Sequence, residues 1–280
     1  MSHTLILRLA GPMQSWGVNS RFSIRETLTE PSKSGVVGLL CAALGWDRSA
    51  STHFIAGRHR ALEELANLPF AVRVLREGTI RRDYHTAQHV LRAKAKIRPG
   101  RPLPEGDLQE TVLSERYYLS DAHFLVGLQS DDRLLLEALD TALARPHWQL
   151  CLGRKSFVPS WPVRFTTGTT PGVVPLPLSK ALINAHDPVF APVSGPKQNT
   201  KSGNPGSEGR VTRFITDKPV SDVLDLYGYR LTMIRRTQRS DVPLSFHPRR
   251  FAPRKVTIYS LSAYVPIQTD TESPLPGGAS

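Results

Sequence analysis

The chain has 280 residues, of which 40% are hydrophobic, so it can bury a full core in one large domain or in one domain with a smaller companion. Its 36 Lys and Arg against 24 Asp and Glu give a formal net charge of +12, which predicts a polyanionic partner. The two cysteines lie outside any CxxC or Cys/His cluster, which argues against disulfides and structural zinc. No apolar run approaches ~18 residues and no secretory signal is recognised, which argues against a membrane span and export. We therefore expect a cytoplasmic protein without a cofactor.

The first half of the chain alternates strand and helix patterns. Thr4 to Leu9 has the period of a mostly buried strand, and Ser34 to Leu44 is apolar nearly all round, as in a helix buried on a sheet. Further strands are predicted at Phe70 to Arg76, His123 to Gln129 and Trp148 to Leu152, with helices at Arg60 to Leu68 and from Ser130 to Leu143. The order βαββαβ predicts an α+β fold with a ferredoxin-like (RRM-like) domain over residues 1–162.

A long insertion separates the second and third of these strands. Residues 77–122 are far longer than an ordinary hairpin loop, and Asp83 is the one acid within their basic cluster. The cations of this cluster are Arg81, Arg82, Arg92, Lys94, Lys96, Arg98 and Arg101. We expect the insertion to project from the sheet as an RNA-binding thumb, although the run from residue 92 to 101 also fits a solvated, mobile charge tip.

The remainder, residues 163–280, is predicted to be a small β-rich C-terminal region. Arg230 to Ile234 and Val256 to Tyr264 have strand patterns. Residues 192–209 are predicted to form a flexible loop, and the tail from Thr269 is expected to be mobile. A second basic cluster spans residues 229–255, with Asp241 as its one acid. Neither cluster has the helical apolar face needed at a membrane surface, so nucleic acid is favoured over membrane.

Two candidate sites lie near the N-terminus. Trp16 could stack a base and Gln14 could bond a base edge, but a Trp folded over the core is equally consistent with the pattern. Lys33 and Ser34 begin the predicted buried helix, where free backbone N–H groups favour a phosphate. The alternative for Lys33 is a solvated lysine at a helix end.

The insertion and the segment after it carry the other candidates. Arg81, Arg82, Tyr84, His85 and Thr86 combine cations, an aromatic ring and hydrogen-bonding groups, a mixture that suits folded RNA. The returning arm adds Arg116 and Tyr117, and Gly153 is followed by Arg154 and Lys155. The alternatives are that Tyr117 packs against the arm and that Arg154 and Lys155 are only charged residues at the end of a strand. His85 and His89 lack a third ligand, so no metal site is expected.

One enzymatic alternative remains open. The sequence has no GxSxG, HExxH or Cys/His pairing of the conventional hydrolases. Metal-independent RNA cleavage needs only a base, an acid and a cation, which His85, Tyr84 and Lys155 could supply.

Five segments, in order through about the first 165 residues, resemble the CasD subunits of type I-E CRISPR Cascade, within the RAMP superfamily. These segments are Leu5 to Gly17, Ser34 to Leu40, Asp83 to Thr86, Arg116 to Ala122 and Leu152 to Ser156. The C-terminal residues match that family poorly.

The resemblance implies a ferredoxin-like domain with a thumb that holds the 5′ handle of the CRISPR RNA (crRNA) without cutting it. It also implies the CasC backbone subunit, the large CasA subunit and the other Cascade subunits as partners, with target DNA met through the complex. In related type I-C systems the homologous protein is the endoribonuclease that processes the repeat RNA, so this activity is the alternative function.

Overall fold

The computed structural model describes residues 1–17, 23–91, 108–166, 172–190, 212–218, 220, 223–226 and 228–263. The strands of the first half are β1 (His3–Ala10), β2 (Met13–Gln14), β3 (Ile24–Arg25), β4 (Thr52–Ile55), β5 (Arg58–Ala61), β6 (Phe70–Arg76), β7 (Thr79–Leu91), β8 (Leu108–Ser120) and β9 (His123–Ser130). The later strands are β10 (Val173–Val174), β11 (Thr212–Thr216), β12 (Val223–Leu226), β13 (Tyr229–Phe246) and β14 (Arg249–Ala263). The helices are α1 (Lys33–Leu44), α2 (Leu62–Ala66), α3 (Arg133–Ala144) and α4 (Leu178–Asn184), with a 3-10 turn at Pro188–Phe190.

A mixed α/β architecture is built on one eight-stranded sheet. Its order is β10-β1-β9-β6-β11-β14-β13-β12, and each neighbouring pair is antiparallel. The C-terminal region is rich in strands, and these strands extend the sheet of the N-terminal half. The predicted boundary at residue 162 therefore does not separate two sheets in the described part of the chain.

Alternation along β1 assigns its side chains to two layers. Leu5, Leu7 and Leu9 face a core shared with α1 and α3, whereas Ile6 faces the core beneath α4. Helix α1 begins where the Ser32 side chain accepts a hydrogen bond from the Gly35 N–H at 3.3 Å. The buried strand and the apolar helix packed on the sheet, both expected from the pattern of this half, are thus present.

The predicted strand at residues 148–152 is wrong. Backbone N–H groups of His147 and Trp148 donate to the carbonyls of Ala43 and Ala42 at the end of α1, at 2.9 and 3.1 Å. These bonds hold the start of the segment against the helix, and the Leu152 N–H donates to the Phe157 carbonyl at 2.7 Å, so neither Trp148 nor Leu152 has a backbone donor free for a sheet edge. The strand beside β1 is instead β10, which begins at Val173.

The second predicted helix is shorter than its pattern. Residues 58–61 pair with residues 52–55 as the β4–β5 hairpin, which leaves only Leu62–Ala66 helical. The C-terminal strands are much longer than predicted, because β13 and β14 pair along most of their length from Tyr229 opposite Ala263 to Phe246 opposite Arg249.

The insertion forms a β-hairpin of two 13-residue strands, β7 and β8. Short strands β2 and β3 flank β8, so the arm is anchored to the N-terminal loop. Residues 92–107, the predicted loop at 192–209 and the tail from Thr269 lie outside the described residues. In the part of the chain that is described, no helix is both long and apolar enough to cross a bilayer.

Candidate nucleic-acid interface

An open cleft of about 970 Å³ lies along α1. Its floor includes Gly35, Gly38, Leu39 and Ala42, and its rim carries more cations than acids. The cations are Arg25, Arg48, Arg116, Arg154, Lys155 and Arg249, and the acids are Glu26 and Asp47. A concave site with this balance attracts a polyanion, because the surrounding protein focuses the positive potential into the cleft.

Gly153 allows the loop that carries Arg154 to approach the N-terminal loop. Its φ is +100°, and a Cβ at this position would lie 1.8 Å from the Ser15 carbonyl oxygen. The Ser15 N–H in turn donates to the Leu152 carbonyl at 3.0 Å, which fixes the two loops against each other. A glycine is therefore required here for steric as well as conformational reasons.

Arg154 is partly buried, and contacts within the chain hold its guanidinium in place. Its Nη2 donates to the Tyr117 carbonyl at 2.9 Å and to the Arg25 carbonyl at 3.2 Å, and its guanidinium lies over the Phe157 ring. Burial and the nearby charge of Arg116 lower the pKa of Arg154. A phosphate oxygen beside this group would relieve that repulsion between cations.

The pleat of the insertion divides its candidate residues between two faces. Register places Asp83 opposite Arg116 and Arg82 opposite Tyr117, and opposed residues share a face. Arg81 and His85 therefore lie on the Arg116 face, which borders the cleft, whereas Tyr84 and Thr86 lie on the Tyr117 face. The continuous motif from Arg81 to Thr86 is thus two half-motifs, and only one of them faces the cleft.

Gln14 and Trp16 are core residues in this structure. The Gln14 amide donates to the carbonyls of Leu9 and Ala122 at 3.1 and 2.8 Å, and it accepts from the Trp16 indole N–H at 3.1 Å. Trp16 is only 1% exposed, and its ring packs where a Cβ on Gly35 would lie 2.9 Å away. The expectation of base contacts by this pair is replaced by the alternative of a Trp folded over the core.

Lys33 is likewise buried, because the chain itself supplies the anion expected at the start of α1. The Lys33 backbone N–H donates to Asp241 Oδ2 at 2.8 Å, and its Nζ binds Asp217 at 2.9 Å. Burial lowers the pKa of Lys33, an effect that the charge of Asp217 opposes. Ser34, by contrast, lines the cleft.

The proposed acid–base pair for RNA cleavage does not converge. Tyr84 and His85 are successive residues of β7, so their side chains point to opposite faces of the strand. Lys155 is exposed in the loop after Gly153. Among the described residues, no group of three or more His, Cys, Asp or Glu side chains is placed to hold a metal ion.

Several candidate RNA-binding residues of the insertion belong to the segment between β7 and β8. Arg92, Lys94, Lys96, Arg98 and Arg101 fall outside the described residues, as does the His89 side chain. Their assignment to RNA remains an expectation from the sequence.

The sequence reasoning missed part of the cleft. Trp148 and Phe251 line it with 44% and 37% of their surface exposed, and Arg25 and Arg249 add cations. The basic cluster at residues 229–255 was a signal for Arg249. Trp148 gave no such signal, because a tryptophan in an apparent strand is ordinarily a packing residue.

Comparisons with known proteins agree with one another. Residues 4–257 match the family described as CRISPR-associated protein (Cas_Cas5). The CRISPR system Cascade subunit CasD of Escherichia coli (strain K12) is 35% identical over 205 residues, which cover 70% of this chain and 80% of that protein.

Two solved structures are also similar. One, titled as the crystal structure of a Cas protein, has 32% identity and a TM-score of 0.56, with 93% of this chain and 95% of that chain covered. The other, titled as a CRISPR RNA-guided surveillance complex, has 28% identity and a TM-score of 0.57, with 93% and 90% covered.

Proposed function

Since the chain belongs to the Cas5 family of CRISPR-associated proteins, we propose that it is a subunit of a type I-E Cascade surveillance complex and grips the 5′ handle of the crRNA. The observation that carries this proposal is the cationic cleft along α1. Arg116 reaches it from β8, and the adjacent residues Arg154 and Lys155 reach it from the loop after Gly153. Convergence of such distant residues on one concave site indicates a ligand with regularly spaced negative charges, as in a folded single-stranded RNA.

The fold of the N-terminal half is proposed to be ferredoxin-like, with the insertion as its thumb. The order β10-β1-β9-β6, with α1 and α3 on one face, supports this arrangement. The hairpin of β7 and β8 supports the thumb, because its cleft-facing side carries Arg81 and Arg116 while its other side exposes Ile80 and Tyr84. We propose that the side with Arg81 and Arg116 meets RNA and the side with Ile80 and Tyr84 meets the adjacent CasC backbone subunit.

The other assignments follow from the same family membership. We propose CasA and the remaining Cascade subunits as further partners, target DNA as a ligand of the whole complex, and the cytoplasm as its location. We also propose that the subunit does not cut RNA. The opposed faces of Tyr84 and His85 support binding without cleavage over the endoribonuclease alternative.

The test is binding of the purified chain to a labelled crRNA 5′ handle. We expect Arg154→Ala combined with Lys155→Ala to weaken binding markedly, whereas Arg133→Ala with Lys180→Ala, which removes equal charge outside the cleft, should have little effect. If about six phosphates are neutralised, log K should fall with log salt with a slope of roughly −4. Equal binding by the two double variants, or a slope near zero, would overturn the proposal.

A further inference from the structure

The C-terminal hairpin of β13 and β14 extends well beyond the main sheet. Strand β11 pairs with β14 only as far as Thr257, which lies opposite Arg236, and the rest of the described hairpin pairs with itself. Its far end, residues 242–252, is the hairpin tip. The Phe246 ring lies 3.7 Å from the position of a Cβ on Gly38, so the tip reaches across α1.

A buried ionic network holds the tip in this position. Asp241 is fully buried and accepts hydrogen bonds from Arg254 Nε at 2.6 Å, Arg254 Nη2 at 3.0 Å and the Lys33 backbone N–H at 2.8 Å. The positive end of the α1 dipole adds to this attraction. Arg239 of the same hairpin binds the buried Glu30 carboxylate. The hairpin is therefore fastened at the start of the helix that forms the cleft floor.

The tip presents two aromatic rings and a cation to the cleft. Phe246, Arg249 and Phe251 line it together with Arg154, although they lie about a hundred residues further along the chain. Arg250 and Leu244 belong to the same tip and are exposed, but they do not line the cleft. The tip thus carries one cation and two aromatic rings at the cleft, and an exposed cation and an exposed leucine away from it.

We propose that the hairpin tip is the second half of the crRNA site. Phe251 stacks a base, Arg249 binds an adjacent phosphate, and Asp241 is a positioning residue that holds both against the cleft. This inference rests on the proposed function. Since every base has a stacking face, this half of the site favours single-stranded RNA without a strong sequence preference.

Two matched pairs of variants test the contacts in the full-length chain with labelled 5′-handle RNA. We expect Phe251→Ala to weaken binding at least about 5-fold, as for loss of one stacked base, whereas Leu244→Ala should have little effect. Arg249→Ala should weaken binding more than Arg250→Ala at the same salt concentration, because both remove one charge but only Arg249 lines the cleft.

The Arg154→Ala, Lys155→Ala variant separates the possible failures. If that variant binds weakly while Phe251→Ala and Arg249→Ala match their controls, the tip inference is overturned and the RNA-binding function stands. If neither the Arg154 variant nor the tip variants bind more weakly than their controls, the proposed function fails as well.

Asp241→Asn tests the positioning role, since it removes the charge and keeps the shape. We expect faster amide hydrogen exchange across residues 242–252, unchanged exchange in β1 and weaker RNA binding, with Asp241→Glu restoring part of the affinity. Faster exchange at the tip with undiminished RNA affinity would refute the positioning role. Should Asp241→Asn fail to fold, the two contact variants and their controls still decide the proposal.

Discussion

Replacement of Gly153 by alanine should uncouple the Arg154 loop from the N-terminal loop. A methyl group at this position would lie 1.8 Å from the Ser15 carbonyl oxygen, and the backbone has a φ of +100°. Neither loop can give way easily, because the Ser15 N–H is bonded to the Leu152 carbonyl and Arg154 to the Tyr117 carbonyl. The substitution must therefore distort the loops or displace Arg154.

Two costs determine the size of the effect. A non-glycine residue in this region of φ costs about 1–3 kcal/mol, and forcing an added carbon into a packed site costs about 1–3 kcal/mol more. We therefore expect Gly153→Ala to lower the free energy of unfolding by about 4 kcal/mol. Displacement of the Arg154 guanidinium should also weaken handle-RNA binding about 10-fold, as for loss of one hydrogen bond to a charged group.

Gly57 provides the matched control. Its φ of +82° imposes a similar conformational cost, but no atom lies within 4 Å of a Cβ built there. Gly57→Ala should therefore lose only about 1–2 kcal/mol of stability and keep its RNA affinity. Urea denaturation and an RNA titration on both variants give the comparison. Similar stability losses in the two variants would refute the argument that the Ser15 carbonyl dictates glycine at residue 153.

Three further predictions concern cleavage, the thumb and pH. Repeat RNA incubated with the purified chain in EDTA should remain intact on a denaturing gel, whereas a discrete cut abolished by His85→Ala or Tyr84→Phe would favour the endoribonuclease. A short Gly-Ser turn in place of residues 92–101 should leave the circular dichroism spectrum unchanged yet reduce co-purification of guide RNA and partner subunits, and normal stoichiometry would contradict the thumb. Burial alone would raise the pKa of Asp187, but hydrogen bonds from His123 and Arg8 lower this pKa to about 2. The stabilisation of the fold by ionised Asp187 is therefore complete above the unfolded pKa near 3.9 and is lost as pH falls toward 2. Asp187→Asn should abolish this acid-dependent part of the unfolding free energy, about 2 kcal/mol, and an unaltered pH profile would contradict the assignment.

Local periodicity predicted the elements that carry their own pattern. The alternation of Leu5, Leu7 and Leu9 marked β1, and the all-round apolar run from residue 34 marked α1, because burial on a sheet leaves that pattern in the sequence itself. Residues 148–152 also have a strand-like pattern, yet the Trp148 N–H donates to the Ala42 carbonyl at the end of α1. Hydrogen-bond partners a hundred residues away leave no local pattern.

The same limit explains which parts of the site could be found from the sequence. Gly153, Arg154 and Lys155 form a short segment whose glycine and cations can be recognised together. The register of β7 with β8 could not be inferred, because the strands are joined through residues 92–107, and a one-residue shift would exchange the faces of Tyr84 and His85. A motif that is continuous in sequence is therefore a poor guide to a site when it lies along a strand.

The net charge of a segment indicates a ligand only after its buried, paired cations are separated from its exposed ones. Residues 229–255 contain eight cations and one acid, a balance that favoured a nucleic-acid partner. In the structure Arg254 is neutralised by Asp241 and Arg239 by Glu30, a residue about two hundred positions earlier. Such buried pairs contribute to the fold and little to the outer field, whereas Arg249 remains exposed at the cleft. The cluster therefore combines buried ion pairs with an exposed cation, and the ion pair of Arg254 with Asp241 holds the hairpin that carries Arg249 to the cleft.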